Sequence, residues 1–178
     1  MSDSKRLATL KALSTFLAAE VTQGNGYKHD LDADGAVCRG KMYSTNEDPL
    51  PMITIMENID PDRYPRVAGG ELYSPITKED WVLLVQGWAI DDKKNPTDPA
   101  YELMADVRKA LAKLNKNPDS LQSDGVANPD FRLGGLIAGM TMEPGIARPP
   151  IEQVSAKAFF WMRIVLKFVE NPNDPYQL

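Results

Sequence analysis

Residues 81–90 read Trp-Val-Leu-Leu-Val-Gln-Gly-Trp-Ala-Ile, an almost uninterrupted apolar stretch. Alternate side chains of a β-strand point to opposite faces of its sheet. In this stretch Trp81 and Leu83 fall on one phase, and Val82 and Leu84 fall on the other. A strand that is apolar on both phases is typical of the centre of a sheet that is covered on each face. We therefore predict a central strand here, with material packed on both sides of the sheet.

Further strands are predicted on either side of this central strand in the chain. Residues 36–44 and 51–59 are short apolar or β-branched runs with a turn-rich segment between them, which predicts a hairpin or two neighbouring strands. Residues 136–143 and 159–170 are predicted to close the chain as strands. The last strand alternates, so we expect one buried and one wetter face. Its apolar phase contains Phe160, Met162, Ile164, Leu166 and Phe168, and its polar phase contains Arg163 and Lys167.

Apolar residues at helical spacing predict two helices. Ser2, Asp3 or Ser4 is expected to cap the start of the first helix, and Gly24 to end it. Thr97 or Asp98 followed by Pro99 marks the start of the second. The predicted core stripes are Leu7, Leu10, Leu13, Leu17 and Val21 in the first helix, and Met104, Val107, Leu111 and Leu114 in the second.

The order of these elements is helix, two strands, a long loop, a central strand, helix and two strands. Strands and helices that are segregated in this way favour an α+β fold with a mostly antiparallel sheet, on which the N-terminal helix and the second helix pack. At 178 residues the chain is expected to form a single domain over residues 1–178, with a long polar loop at 117–135.

Composition narrows the function classes. The net charge is −5 and the pI is about 4.9, and no basic run exceeds a pair, which argues against a surface that clamps nucleic acid. No apolar run approaches the roughly 18 residues of a membrane-spanning helix, so we expect no membrane partner. The single cysteine, Cys38, fits a reducing compartment such as cytoplasm.

The sequence predicts no catalytic, cofactor-binding or metal-binding residues. Asp30, Asp32 and Asp34 match the first half of a calcium loop, but the position that should carry a bidentate glutamate is Lys41. The only histidine, His29, is interpreted as a solvated loop residue.

Other polar and aromatic features also have ordinary structural interpretations. Asp91 and Asp92 are interpreted as a solvated turn that follows the central strand. Trp81 and Trp88 are interpreted as core or interface residues rather than a stacking platform for a ligand.

Several loops combine proline with arginine or tyrosine, which suggests stiff surfaces for binding another protein. Such loops lose little entropy on docking and carry residue types that interfaces favour. We select Arg63, Tyr64 and Arg66 as the candidate interface residues. The other loops of this kind are residues 72–75, residues 148–150 and the tail at 171–176.

A set of strand and loop patterns resembles the tail-terminator and tail-completion proteins of long-tailed bacteriophages. The resemblance covers roughly residues 4–115 and 158–178. It is carried by residues 37–43, 50–57, 81–88, 91–101 and 168–170, which read VCRGKMY, LPMITIME, WVLLVQGW, DDKKNPTDPAY and FVE.

The resemblance implies that the chain is a structural protein of the virion, that it catalyses no reaction and that it binds no cofactor. Such a subunit forms a homo-oligomeric ring, usually a hexamer, that caps the finished tail tube and joins the tail to the head. Its partners are then the tail tube protein and the head-completion or connector proteins, and DNA passes the lumen without specific binding. It is made in the cytoplasm of the bacterial host and resides in the neck of the virion.

Two other function classes stay open. A head-completion or stopper protein of the neck shares these sequence features and differs in its position in the particle. A small hydrolase or ligand-binding domain is the third alternative, and it requires a deep pocket with converging carboxylates.

Overall fold

The computed structural model describes residues 3–57, 76–115, 131–151, 155 and 157–176. These residues form two helices that pack on one six-stranded, mostly antiparallel sheet. The predicted α+β fold is confirmed. The helices are α1 (Lys5–Glu20) and α2 (Asp98–Lys113). The strands are β1 (Val37–Arg39), β2 (Met52–Glu57), β3 (Thr77–Ala89), β4 (Gly139–Met142), β5 (Ile146–Arg148) and β6 (Ala158–Glu170). Their order across the sheet is β1-β2-β3-β6-β4, and β5 also pairs with β6.

The centre of the sheet is the long antiparallel pair of β3 and β6. Its register runs without a break from Thr77 opposite Glu170 to Ala89 opposite Ala158. Leu83 and Val85 of β3 are fully buried, and so is the predicted apolar phase of β6 from Phe160 to Phe168. The alternation of the last strand therefore correctly identified its buried face.

Both helices cover the same face of the sheet. The buried residues of α1 and α2 form one cluster with Leu83, Val85 and the apolar phase of β6. Within the described residues the helices supply only one layer, so the predicted cover on both faces of β3 is found there only at the end of the strand near Trp88. On the opposite face, which we call the open face, Val82 and Leu84 are only partly buried.

One end of the open face is covered by the loop of residues 40–51. Met52, Trp88 and Phe159 form a small second core there, against which Leu50 packs. The backbone N–H of Lys41 donates to Thr54 Oγ1 at 3.1 Å and satisfies a buried hydroxyl. The rest of the open face has no helix on it in the described part of the chain.

The predicted strand at 36–44 is shorter than expected. Only Val37–Arg39 pair with β2, and they do so in parallel, so the two strands are neighbours and not a hairpin. Gly40 adopts a φ of 72°, a left-handed conformation that favours glycine, and it turns the chain out of the strand. The following loop then crosses the open face, which a two-residue turn could not do.

The predicted strand at 136–143 is found as β4, and a second edge piece that was not predicted, β5, follows it; both pair with β6. Gly145 lies between them, and a Cβ at this position would overlap Met104 Sδ and come within 3.2 Å of Met162 Cβ. The backbone therefore enters the core beneath α2, which interrupts the edge strand.

The predicted core stripe of the first helix is buried at Leu13, Leu17 and Val21, with Leu10 packed against the core, and the stripe of the second helix agrees with prediction. Leu7 is 40% exposed, and Thr9 and Phe16 are buried in addition to the predicted Leu13 and Leu17. Ser4 caps α1 as expected, since its Oγ accepts a hydrogen bond from the N–H of Leu7 at 3.4 Å. The predicted stripe of α2 and its continuation is buried throughout, at Met104, Val107, Leu111 and Leu114.

The two faces of β6 give the first testable prediction. Leu166 is fully buried and Val165 is partly exposed on the open face. Replacing Leu166 with Ala is expected to lower the free energy of unfolding by about 2–5 kcal/mol, because it leaves a cavity in the core. Replacing Val165 with Ala is the matched control and should cost about 1 kcal/mol or less. Equal losses in urea denaturation would contradict the one-sided core.

Candidate interaction surface

An aromatic surface lies on the open face where β5 pairs with β6. We call it the Trp161 surface, and it consists of Ile146, Arg148 and Trp161. The strand register places Ile146 opposite Trp161 and Arg148 opposite Phe159. The Trp161 ring stacks on buried Phe159, with centroids 5.6 Å apart and planes at 26°. The indole is therefore fixed by the small core beneath it.

The chemistry of this surface is that of a protein interface. Ile146 is 43% exposed, Trp161 is partly exposed, and the Arg148 guanidinium lies 6.0 Å from the Trp161 ring centroid. Arg148 forms no ion pair with any residue in the described part of the chain. Tryptophan and arginine on a rigid scaffold are the residue types that dominate binding energies in interfaces. This surface could hold an apolar group together with a carboxylate.

Sequence reasoning missed Trp161, although a signal was present. The residue has the same strand phase as Arg163 and Lys167, which were assigned to the wetter face of β6. A tryptophan on that phase is an apolar side chain on a partly solvated surface. Trp161 lies in the apolar run at 159–162, whose other three residues are buried, so apolar character alone does not distinguish it from the core.

The candidate interface residues Arg63, Tyr64 and Arg66 lie outside the described residues, as does the proline loop at 72–75. Of the remaining proline-containing loops, the one at 148–150 contributes Arg148 to the Trp161 surface. The tail at 171–176 is anchored to α1, since the N–H of Lys5 donates to the carbonyl of Pro175 at 2.9 Å. Tyr176 stays 58% exposed.

The acidic segment at 30–35 is divided between one structural and two exposed carboxylates. Asp30 Oδ1 accepts the N–H of Gln23 at 2.6 Å, which fixes the loop after α1. Asp32 and Asp34 are exposed and form no ion pair or hydrogen bond in the described part of the chain. Lys41, at the last position of the calcium-loop pattern, pairs with Asp48. Among the described residues, no three His, Cys, Asp or Glu side chains converge as a metal site would require.

The interpretation of His29 as a solvated residue is wrong. Its Nδ1 lies 2.8 Å from Asp106 Oδ2, and its side chain is only 17% exposed. The same oxygen accepts the backbone N–H groups of Lys28 at 3.0 Å and His29 at 3.1 Å. Asp106 is buried on α2 and therefore needs these donors, so the histidine is part of a structural contact between the loop and the helix.

A second contact fixes the same loop. Tyr27 Oη donates to Glu20 Oε1 at 2.5 Å, and Lys113 pairs with the same carboxylate. Burial, reinforced by Glu20, raises the pKa of Tyr27 well above its usual value, so the phenol keeps its proton and remains a donor. The loop is thereby held to α1 and to α2.

Asp91 and Asp92 lie in the irregular segment that follows β3, directly before the bend at 93–95, and both accept backbone hydrogen bonds. Asp92 Oδ1 accepts the N–H groups of Lys94 and Asn95, and these bonds lower the pKa of Asp92. Asp91 Oδ1 accepts the N–H of Ala158 at 3.0 Å, which ties the chain after β3 to the start of β6.

An ion-pair cluster joins α1 to the opposite end of the sheet. Arg6 pairs with Glu79 and, at 3.1 Å, with Glu170 Oε2, while its guanidinium lies 4.9 Å from the Trp81 ring centroid. Trp81 and Trp88 are 4% and 1% exposed, so both tryptophans belong to the core. Burial raises the pKa of Glu79, and the neighbouring Arg6 opposes that shift.

Two cavities of about 450 and 470 Å³ flank the left-handed turn that begins at Arg132. The first lies beside α1 and contains one carboxylate, Glu20, which Tyr27 and Lys113 already hold. The second has Lys5 and Arg132 among otherwise apolar or glycine lining residues. Neither set of lining residues places two carboxylates together, as acid–base hydrolysis of a glycoside would need.

No protein-family model matches this chain, and no curated protein matches it at a significant level. In the described part of the chain, neither helix has the length and apolar character needed to cross a lipid bilayer.

The contact at Asp106 gives the second prediction. Replacing Asp106 with Ala is expected to lower the free energy of unfolding by about 1–3 kcal/mol, since the donors of residues 28 and 29 lose their buried acceptor. The control is Glu102→Ala on the same helix, which removes only the exposed ion pair with Lys28 and should cost less than about 1 kcal/mol. Similar losses for both variants in urea denaturation would show that the Asp106 contact is dispensable.

The carboxylates Glu79 and Asp48 are predicted to change the stability of the fold with pH in opposite directions. The folded-state pKa of Glu79 is raised, so its ionised form opposes folding at neutral pH, and this penalty disappears as the pH falls below the pKa of an unfolded glutamate. The pKa of Asp48 is lowered, first by Lys41 and then by the N–H of Thr45, so its stabilisation is lost as the pH falls through that lowered pKa.

In thermal melts at pH 7, Glu79→Gln is therefore expected to raise the melting temperature and Asp48→Asn to lower it. Both differences in melting temperature from the parent protein should shrink as the pH is lowered. The difference for Glu79→Gln should shrink near the pKa of an ordinary glutamate, and the difference for Asp48→Asn at lower pH. A lower melting temperature for Glu79→Gln at pH 7 would show that the attraction to Arg6 outweighs the burial of the carboxylate.

Proposed function

We propose that this chain is a ring-forming structural subunit of a bacteriophage virion, which terminates the tail tube at the neck and joins the tail to the head. The observation that carries the proposal is the Trp161 surface, where an aromatic ring, an isoleucine and an arginine that has no ion pair among the described residues lie together on the open face. This arrangement supports protein assembly.

The hydrogen bonds that carboxylates accept also support an assembly role. Asp106, Glu20 and Asp92 accept hydrogen bonds that hold loops to the scaffold. These carboxylates are therefore used for structure. Among the described residues that line the two cavities there is no pair of carboxylates, and the Trp161 surface lies outside both cavities.

The charge balance supports a lumen through which DNA passes. A channel that conducts DNA must avoid binding many phosphates at once, because each phosphate that a basic wall neutralises adds to the affinity. This chain carries 25 acidic and 20 basic residues. We propose that the inner wall of the ring is neutral or acidic, and that Arg63, Tyr64 and Arg66 contact the neighbouring layers of the neck.

Light scattering and negative-stain microscopy of the purified protein test the proposal. The expected result is a ring of about six subunits. The ring should bind one end of tail tubes from the phage that encodes the protein and stop their elongation. A monomer at all concentrations, which also leaves tube length unchanged, would refute the proposed function. A ring that binds only the filled head would instead favour a head-completion or stopper protein.

A further inference from the structure

We propose that the ring closes through contacts between opposite edges of the sheet: the Trp161 surface of one copy binds the β1 side of the next copy. This inference rests on the proposed ring function and specifies which surfaces form it. The β1 side is defined here as Asp32 and Asp34, which precede β1, together with Met42 and Tyr43, which follow it.

The sheet topology places these two surfaces apart. β1 lies at one end of the strand order, and β5 lies beyond β6 toward the other end. A single subunit therefore presents the carboxylates that precede β1 and the Arg148 side chain of β5 at opposite edges of the sheet. Two different surfaces on opposite sides make a head-to-tail contact, which closes into a ring when the rotation per subunit fits.

The two surfaces have opposite charge and similar apolar character. The Trp161 surface carries Arg148, which has no ion pair in the described residues. The β1 side carries Asp32 and Asp34, which likewise have no partner there. Arginine binds a carboxylate through two parallel hydrogen bonds, so these unmatched charges complement each other.

Apolar side chains accompany the charges on both sides. Met42 and Tyr43 are 59% and 68% exposed on the β1 side. Ile146 and the nearby Ile151 are 43% and 39% exposed at the other edge. A buried apolar centre with charges around it is the usual composition of a protein interface. Among the charged residues between positions 30 and 39, Arg39, which is exposed on β1, is basic and the others are acidic.

The contact is expected to use side chains rather than to extend the sheet. The carbonyl of Met140 accepts Asn115 Nδ2 at 2.7 Å, and the carbonyl of Glu143 accepts Arg108 Nη1 at 3.2 Å. These bonds from α2 and from Asn115 just after it occupy carbonyls in and just after β4. An edge protected in this way is a poor template for another strand.

Charge reversal on each side tests the contact. Arg148→Glu and the double variant Asp32→Lys, Asp34→Lys should each reduce the assembled fraction about tenfold at equal concentration, because like charges then face each other across the interface. Arg132→Glu is the matched control, since Arg132 is also exposed and lies 4.7 Å from an aromatic ring, that of Phe131, but is outside both surfaces. It should assemble like the parent protein.

Mixing the two charge-reversed proteins is the decisive experiment. In a 1:1 mixture, every contact of an alternating ring pairs a base with an acid, so rings with an even number of subunits should form again. Light scattering measures assembly, and circular dichroism verifies that each variant is folded. Arg148→Ala serves as a second variant if the glutamate prevents folding, and it should weaken assembly to a smaller extent.

The outcomes separate the two proposals. Undiminished rings from Arg148→Glu, or a mixture that stays dissociated although each variant is folded, would overturn the edge-to-edge contact and leave the ring function intact. A parent protein that never assembles, alone or on tail tubes, would overturn the ring function itself.

Discussion

The pairing of β3 with β6 is the constraint on which the rest of the structure depends. Each strand spans 13 residues, and their register leaves no gap along the whole length. Gly87 shows how tight this pair is, since a Cβ there would overlap the Phe160 ring and come within 3.1 Å of Ile53 Cγ2. Because alternate side chains point to opposite faces, this register fixes which residues meet the helices and which reach the open face.

One-sided packing of the helices creates the candidate interaction surface. The apolar phase of β6 is buried under α1 and α2, so the other phase has no helix to cover it in the described residues. The loop at 40–51 covers one end of that face and builds the small core on which Trp161 stacks. The same packing that stabilises the fold therefore holds an aromatic side chain rigidly at the surface, where binding costs little entropy.

Carboxylates that accept backbone hydrogen bonds hold the irregular segments in place. Buried Asp106 accepts the donors of the loop around His29, and exposed Asp91 joins the end of β3 to the start of β6. A buried carboxylate is costly unless donors surround it, so Asp106 selects a single conformation of the segment that supplies its donors. Loops fixed in this way can present exposed residues such as Asp32 and Tyr43 at defined positions.

The sequence by itself determined the α+β class, the buried phase of β6 and the core stripe of α2, because these follow from local periodicity and one hydrophobic face. Only the tertiary structure decided that both helices share a face, that β1 runs parallel to β2, and that His29 contacts Asp106. These features depend on residues far apart in the chain, such as 29 and 106, whose meeting no local pattern encodes. Trp161 belongs to both groups: its strand phase could be read in the sequence, but its exposure depended on where the helices packed.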